Sequence, residues 1–355
     1  MSQPLHIAIT ADPYLPVPPR LYGGIERVLD FLVRGLVERG HRVTLFAHPE
    51  STVPASLVPY GSPPHFQKAD RVRELWQVGA GLWTRRRDFD LVHSFGRLAA
   101  LTPVLAVRGL PKIQSYQRDG LPWKSIRTAR RLANASIRFT ACSSNVYRDV
   151  PVRDGTFGTW HTVFNGVDLD KYSFRADVAP DAPLTFLGRL EPIKGAHNAI
   201  AIARAAGRKL VVAGNRVAAC EDYFQSRIAP HLDGDRVQYI GAVDDGAKND
   251  LLSRSAALLM PIEWEEPFGI VMAEAMACGT PVIGYARGSV GEVVRNGVNG
   301  YACRSRADAV WAVDHLGAID RAAVRSDCER RFSARVVVDQ YERLYHGLCG
   351  EGGAN

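Results

Sequence analysis

The chain has 355 residues, 46% of them apolar and 23% charged, with a formal net charge of +7 at pH 7. This composition excludes a disordered or low-complexity polypeptide, and the length exceeds what one core usually organises, which predicts two domains. No apolar run approaches the roughly 18 consecutive residues of a membrane span, and Ser2 to Ile9 lacks the basic start of a signal peptide, so a cytoplasmic protein is expected.

Leu5 to Ile9 reads as a short strand, followed by a proline-rich loop (Pro13, Pro16, Pro18, Pro19) that ends at Gly23-Gly24. Ile25, Val28, Leu29, Leu32, Val33, Leu36 and Val37 then recur at helical spacing, and Gly40 is placed to close that helix in the left-handed region. Val43 to Ala47 is the next strand. Leu91 to Val92 and Lys112 to Ser115 repeat the alternation, and Phe139 to Cys142 closes the first series, which specifies a parallel sheet with crossover helices.

Turn formers dominate from Val163 to Asp170, and no helical period returns before Ala182, so the interdomain linker is placed there. A second series follows: strand Leu184 to Leu187, helix His197 to Ala206, then strands Leu210 to Ala213, Val237 to Ile240, Ala257 to Met260 and Pro281 to Gly284. A final helix from Phe332 to Leu348 shows Val336, Val337, Tyr341, Leu344 and Tyr345 on one face, and any disorder is confined to the glycine-rich tail beyond it. The fold class is therefore α/β, with two doubly wound, Rossmann-like domains that hold their ligand in a cleft at the carboxyl ends of the strands.

The charge is uneven. Residues 1–170 carry 22 Arg and Lys against 14 Asp and Glu, the remainder 22 against 23. Arg85-Arg86-Arg87 and the Arg127, Arg130, Arg131 set, with Trp123 and Lys124 nearby, favour an anionic acceptor or peripheral contact with an anionic membrane surface; a solvated arginine-rich surface is the alternative. No nucleic-acid partner is expected. The six cysteines form no C-x-x-C pair and read as free thiols.

Two carboxylates, Glu266 and Glu274, bracket the run Pro-Phe268-Gly269-Ile270-Val-Met-Ala, in which a loop feeds a helix starting near Ile270 and stopping at Cys278-Gly279. A helix start offers free backbone N–H groups to a phosphate, so Phe268, Gly269 and Ile270 can cradle a diphosphate. Glu274 can accept hydrogen bonds from ribose hydroxyls and Glu266 from the transferred sugar, though surface glutamates also arise at this spacing by chance. Gly188-Arg189 through Lys194-Gly195 follows a strand directly, and two cations five residues apart suit a diphosphate leaving group as well as they suit an exposed loop. Tyr22-Gly23-Gly24-Ile25-Glu26 lets backbone approach a ligand at the first helix, or is simply a tight turn.

Taken together, these motifs resemble the family-four retaining nucleotide-sugar glycosyltransferases of the GT-B fold. The likeness covers nearly the whole chain and includes GVDLDKYSF at the linker, Gly214 after the strand Leu210 to Ala213, ACGTPVIGYARGSVGEVVRNGVNGYAC, and the closing FSARVVVDQYERLY. The resemblance implies an acceptor-binding domain at 1–168, a nucleotide-sugar domain at 169–331, and a helix, 332–348, that crosses back to the first domain.

It also implies that Arg189 and Lys194 hold the donor diphosphate, that Glu274 binds the ribose and Glu266 the sugar, and that Gly23 and Gly24 close over the phosphates. The implied reaction moves a hexose with retention from a UDP- or GDP-sugar to a sugar, lipid-linked or other small acceptor, with no metal and no further cofactor. The family's histidine beside the reacting sugar is missing: Ser115-Tyr116-Gln117 stands where Thr-x-His is usual. The Gln117 amide can still bond a hydroxyl, and His93, at the end of the preceding strand, is a second candidate for ligand contact, although a lone histidine at a strand end is more often a packed or solvated side chain.

Asp233-Gly-Asp235 has the spacing of a metal-binding Asp-x-Asp motif but sits in a polar turn, which is the preferred reading. Competing functions are a dehydrogenase, which the absent G-x-G-x-x-G argues against, a sugar-nucleotide epimerase or hydrolase, and a non-catalytic nucleotide-sugar binder.

Overall fold

The structure is a computed structural model and describes residues 3–20, 23–61, 68–150 and 155–352. The chain divides into two compact units, Met1–Asn165 with Ala334–Asn355, and Gly166–Ser333.

In the first unit, β1 (His6–Thr10), α1 (Gly24–Glu38), β2 (Arg42–Ala47), β3 (Ser56–Pro59), α2 (Lys68–Thr84), β4 (Leu91–Ser94), β5 (Lys112–Tyr116), α3 (Trp123–Ala133), β6 (Ile137–Ala141) and β7 (Thr159–Thr162) build a sheet of order β3-β2-β1-β4-β5-β6-β7. Every pairing in it is parallel. The central strands are buried on both faces, as crossover helices require. α1 buries Val28, Leu29, Leu32, Val33 and Leu36, and Gly40 ends it with φ +86°.

The second unit repeats the plan. β8 (Leu184–Leu187), α4 (Ala196–Ala205), β9 (Leu210–Ala213), α5 (Glu221–Arg227), β10 (Val237–Tyr239), α6 (Asp245–Arg254), β11 (Ala257–Met260), α7 (Ile270–Ala277), β12 (Val282–Tyr285), α8 (Val290–Val293), β13 (Gly300–Cys303), α9 (Arg306–Asp314) and α10 (Arg321–Phe332) give the parallel order β10-β9-β8-β11-β12-β13. Its core packs Phe186, Ile200, Val212, Leu259 and Ile283 between sheet and helices. In each sheet the strand order reverses once, between β1 and β4 and between β8 and β11, and such reversals open a crevice at the carboxyl ends of the strands.

The last helix, α11 (Ala334–Gly352), belongs to the first unit and packs on α1. It differs from the expected 332–348 segment. The stretch before it forms a helix of its own, α10, and Ser333 in extended conformation separates the two. The buried stripe is Val337, Val338, Tyr341, Tyr345 and Leu348, while Val336 and Leu344 stay only half-buried. α11 also continues past Leu348 to Gly352; residues 353–355 lie outside the described part.

All six cysteines are free. Burial pushes the Cys278 and Cys328 thiols up to about 12, so these two behave as inert core groups. No helix of the described residues is long and apolar enough to cross a membrane.

Candidate active site

The loop after β8 carries the first cations. Gly188 donates its N–H to Ala213 O, which holds the loop against β9. Gly214, at the end of β9, adopts φ +138° and must lack a side chain, because a Cβ there would stand 1.8 Å from Gly188 O. Arg189 pairs with Glu191 at 3.0 Å and keeps 41% of its side chain exposed. A single 3₁₀ turn, Pro192–Lys194, then closes on Gly195 with φ +76°, where a Cβ would approach Pro261 O to 2.0 Å. The backbone after β8 therefore lies directly on the backbone after β11.

That contact brings Lys194 to Glu266. The ammonium donates to Glu266 Oε2 at 2.7 Å and sits 4.5 Å from the centre of the Trp264 ring, whose Nε1 donates to the same oxygen at 2.9 Å. Glu266 is buried, and its other oxygen, Oε1, has no hydrogen bond among the described residues.

Glu274, one turn into α7, repeats this arrangement. Its Oε1 accepts from Lys248 Nζ at 2.5 Å and from the Tyr172 hydroxyl at 2.8 Å, and Oε2 is left without a hydrogen bond among the described residues. Each buried glutamate is thus charge-compensated on one oxygen by a lysine and an aromatic donor, and has the other oxygen free to accept a ligand hydroxyl. Lys248 and Tyr172 escaped sequence reasoning. Tyr172 lies in the GVDLDKYSF run without a role assigned to it, nothing local marks Lys248, and only the fold brings α6 and the linker segment against α7.

Between the glutamates lies the helix start. Gly269 caps α7 in the left-handed region, φ +71°, with no side-chain cap, and the N–H groups of Gly269 and Ile270 find no acceptor among the described residues. This end is a ready anion site. The Phe268 side chain does not face it. Phe268 is buried edge-on against Phe332, so only its backbone is placed to serve a ligand.

In the first unit, Gly23 caps α1 and Gly24 begins it; a Cβ on Gly23 would collide with Pro19 at 2.7 Å. Tyr22 of the same motif lies outside the described residues. Gln117, just past β5, has both amide atoms buried and without a hydrogen-bond partner.

Of the two readings of His93, the structure takes the packed side chain and not the ligand contact. His93 is fully buried at the face of the sheet covered by α11, with Nδ1 2.6 Å from the Tyr345 hydroxyl and Nε2 2.7 Å from Ser115 Oγ. Both ring nitrogens are engaged by the protein, and burial lowers its pKa to about 3, so the ring is a neutral core group.

Two clusters bear on metal binding. Asp233 Oδ1 accepts the backbone N–H groups of Asp235, Arg236 and Val237, and Asp235 pairs with Lys209, so both carboxylates serve the turn. His41, Glu342 and His346 bring their ligating atoms within 4.8 Å of one another. Yet His41 Nδ1 accepts from Leu5 N at 3.1 Å, which puts the ring proton on Nε2, where it faces Glu342 Oε1 at 3.1 Å. Arg39 also pairs with Glu342. This is a hydrogen-bonded clamp on α11, and its protonated Nε2 offers no lone pair to a metal.

Two parallel α/β units, with paired glutamates and two lysines at the switch point of the second, define a protein of the GT-B glycosyltransferase architecture. The family model for glycosyl transferases group 1 matches residues 177–320, and that for glycosyltransferase family 4 matches residues 22–171. The chain is 26% identical over 371 residues to glycogen synthase of Mycobacterium tuberculosis, covering 91% of this chain and 88% of that one. It is 29% identical over 301 residues to D-inositol 3-phosphate glycosyltransferase 1 of Catenulispora acidiphila, covering 72% and 70%. Among solved structures it resembles AviGT4, a glycosyltransferase involved in avilamycin A biosynthesis, with 26% identity, a TM-score of 0.71 and 98% of both chains covered. The chain belongs to the family-four glycosyltransferases, and is an enzyme of the hexosyltransferase class.

Proposed function

We propose that the second unit binds a nucleotide-diphosphate sugar, UDP- or GDP-linked, and that the enzyme transfers the hexose with retention of configuration to a hydroxyl of a small or lipid-linked acceptor recognised by the first unit. The observation that supports this reading is the matched pair of glutamates, each with one free oxygen, on either side of an uncapped helix start. Glu274 Oε2 accepts from the ribose, Glu266 Oε1 accepts from the hexose, and the N–H groups at the start of α7 receive the diphosphate.

Arg189 and Lys194 supply the positive charge for the leaving phosphate. An ammonium has three donors, and Lys194 gives one to Glu266, which leaves two for phosphate oxygens. Retention follows when the acceptor enters on the face from which the phosphate departs. The departing phosphate oxygen then takes the acceptor proton, so no side-chain base is needed and stabilisation of the developing charge carries the rate. The positive charge is supplied by protein side chains, and no step uses a metal.

A peripheral membrane contact has one supporting feature. Val72 and Trp76 on α2 are 70% and 72% exposed, Trp83 lies further along the helix, and Arg85 to Arg87 follow directly. Apolar groups beside a basic run suit an anionic lipid surface.

Incubation with UDP-, GDP- and ADP-hexoses and a panel of sugar acceptors, with and without chelator, tests the reading. The account predicts a glycoside with the donor's anomeric configuration and unchanged yield in chelator. Free hexose alone, an epimerised donor, or binding without turnover would contradict it.

A further inference from the structure

Arg127, Arg130 and Arg131, with Asn134, Gly155 and Thr156, line a cavity of about 530 Å³ in the first unit. Its place in the fold follows from the topology. α3 ends at Ala133 and β6 begins at Ile137, while Gly155 and Thr156 come just before β7, so the cavity opens at the amino edge of the first sheet. Gly23, Gly24 and Gln117 stand at the other edge, after β1 and β5. Strands of five residues at about 3.3 Å each put roughly 15 Å between the two edges, so one small ligand cannot occupy both.

The cavity is cationic. Arg127, Arg130 and Arg131 stand at i, i+3 and i+4 on α3, where like charges are neighbours on the helix surface and repel. Elsewhere in the chain helical arginines have a counter-ion at this spacing: Arg34 pairs with Asp30 and Arg325 with Glu329. Here no carboxylate is among the lining residues, and neither Arg127 nor Arg131 has an ion pair or hydrogen bond among the described residues. A cation in the last turn of a helix also offsets the negative end of the helix dipole, which accounts for Arg130 and Arg131. It accounts for neither Arg127, a turn earlier, nor the cavity.

The walls are held in place. The Arg130 stem packs on Gly158, where a Cβ would come within 3.2 Å of Arg130 Cδ and 2.9 Å of the Phe139 ring, and its guanidinium donates to Asn134 Oδ1 at 3.3 Å. Asn134 takes the left-handed conformation, φ +53°, and with its oxygen engaged its amide N–H groups are left to donate. Lys112, fully buried at the start of β5, fixes the segment after Asn134 by donating to Leu105 O, Val107 O and Ser136 Oγ. On the β7 side Gly155 faces open space, since a Cβ there would meet nothing within 4 Å.

The chemistry of these groups selects the ligand. The three guanidinium groups and the Asn134 amide offer donors and positive charge, so the occupant is an anion. Arginine forks match the oxygens of a phosphoryl group, and three positive charges suit its double negative charge better than a single carboxylate. The volume falls within the range of about 300–1,000 Å³ that holds small organic molecules, which leaves room for a carrier beside the phosphate. A lipid surface is the poorer match, because none of the lining side chains is apolar.

We propose that this amino-edge cavity binds a soluble phosphate ester through Arg127, Arg130 and Arg131, at a site separate from the transfer reaction. The ester lies beyond reach of the carboxyl edge, so it is held there and not consumed. The site is independent of how the donor is read.

The test is isothermal titration calorimetry on the full chain with glucose 6-phosphate as probe and inorganic phosphate as competitor. The variants are the double substitution of Arg127→Gln with Arg131→Gln, both exposed side chains, and Lys194→Ala in the second unit. Glucose 6-phosphate is expected to bind wild type and Lys194→Ala alike, to be displaced by phosphate, and to bind the double variant roughly tenfold more weakly or worse. Absence of binding to the wild type overturns the proposal, as does equal affinity in the double variant or a loss confined to Lys194→Ala. Flotation with phosphatidylglycerol vesicles separates the lipid source: capture that needs the two arginines, without binding of glucose 6-phosphate, also overturns it. If the double variant does not melt cooperatively, the two single variants decide the matter, each expected to weaken binding about threefold or more.

Discussion

Lys194 Nζ and Glu266 Oε2 stand 2.7 Å apart although 72 residues separate them in the chain. Their pairing joins the loop after β8 to the loop after β11 at the strand-order reversal of the second sheet, and fixes both the cation and the free carboxylate oxygen in one small volume. Lys194→Ala and Arg189→Ala should each lower kcat by about 10²–10³ while the proteins still melt cooperatively. Arg189→Lys should recover only part of the loss, since an ammonium lacks the planar fork of a guanidinium. Steady-state kinetics with wild-type rates in both alanine variants would remove the diphosphate role.

Lys248 and Glu274 form the more deeply buried pair, with side-chain exposures of 11% and 8%. Replacing Lys248 by Met leaves the carboxylate without its cation in a dry setting, which should cost about 3–5 kcal/mol. Urea unfolding measures it. A loss below the error of the measurement would show that Glu274 is compensated from elsewhere.

Tyr172→Phe deletes only the hydroxyl that orients Glu274. The expected result is a donor KM raised roughly fivefold with kcat held, because about 1 kcal/mol of ground-state and transition-state binding is lost together. A fall in kcat at constant KM would place the tyrosine nearer the chemistry.

His93 makes stability depend on pH. Its pKa is about 3 in the folded chain against 6.5 unfolded, so between these values the unfolded state binds a proton that the native state refuses. Stability from this group is complete above pH 6.5 and declines on acidification, by about 1.4 kcal/mol per pH unit until pH 3. Comparing urea midpoints at pH 7 and pH 5 for wild type and His93→Gln tests this; an equal acid slope in both proteins would contradict it.

Much of the fold was legible because its signals are local. The apolar stripe of α1, the short buried strands and the glycine that ends α7 each follow from a few consecutive residues. β3, β7 and β13 were missed, since each has four residues at an edge of its sheet, where burial no longer enforces an apolar run. The cations after β8 and the two glutamates were visible for the same local reason. Their partners were not: Lys248 is 26 residues from Glu274 and Tyr172 is 102. His93 was rightly set at a strand end, but the side it faces is decided by Tyr345, 252 residues on.

The central claim is that a nucleotide diphosphate sits at the start of α7, between Lys194 and the two glutamates. A crystal structure with UDP or GDP tests it most directly. The account predicts phosphate oxygens within hydrogen-bond distance of Arg189, Lys194 and the Gly269–Ile270 N–H groups, with ribose hydroxyls on Glu274 Oε2. A nucleotide bound elsewhere, with Lys194 still held by Glu266 alone, would contradict it.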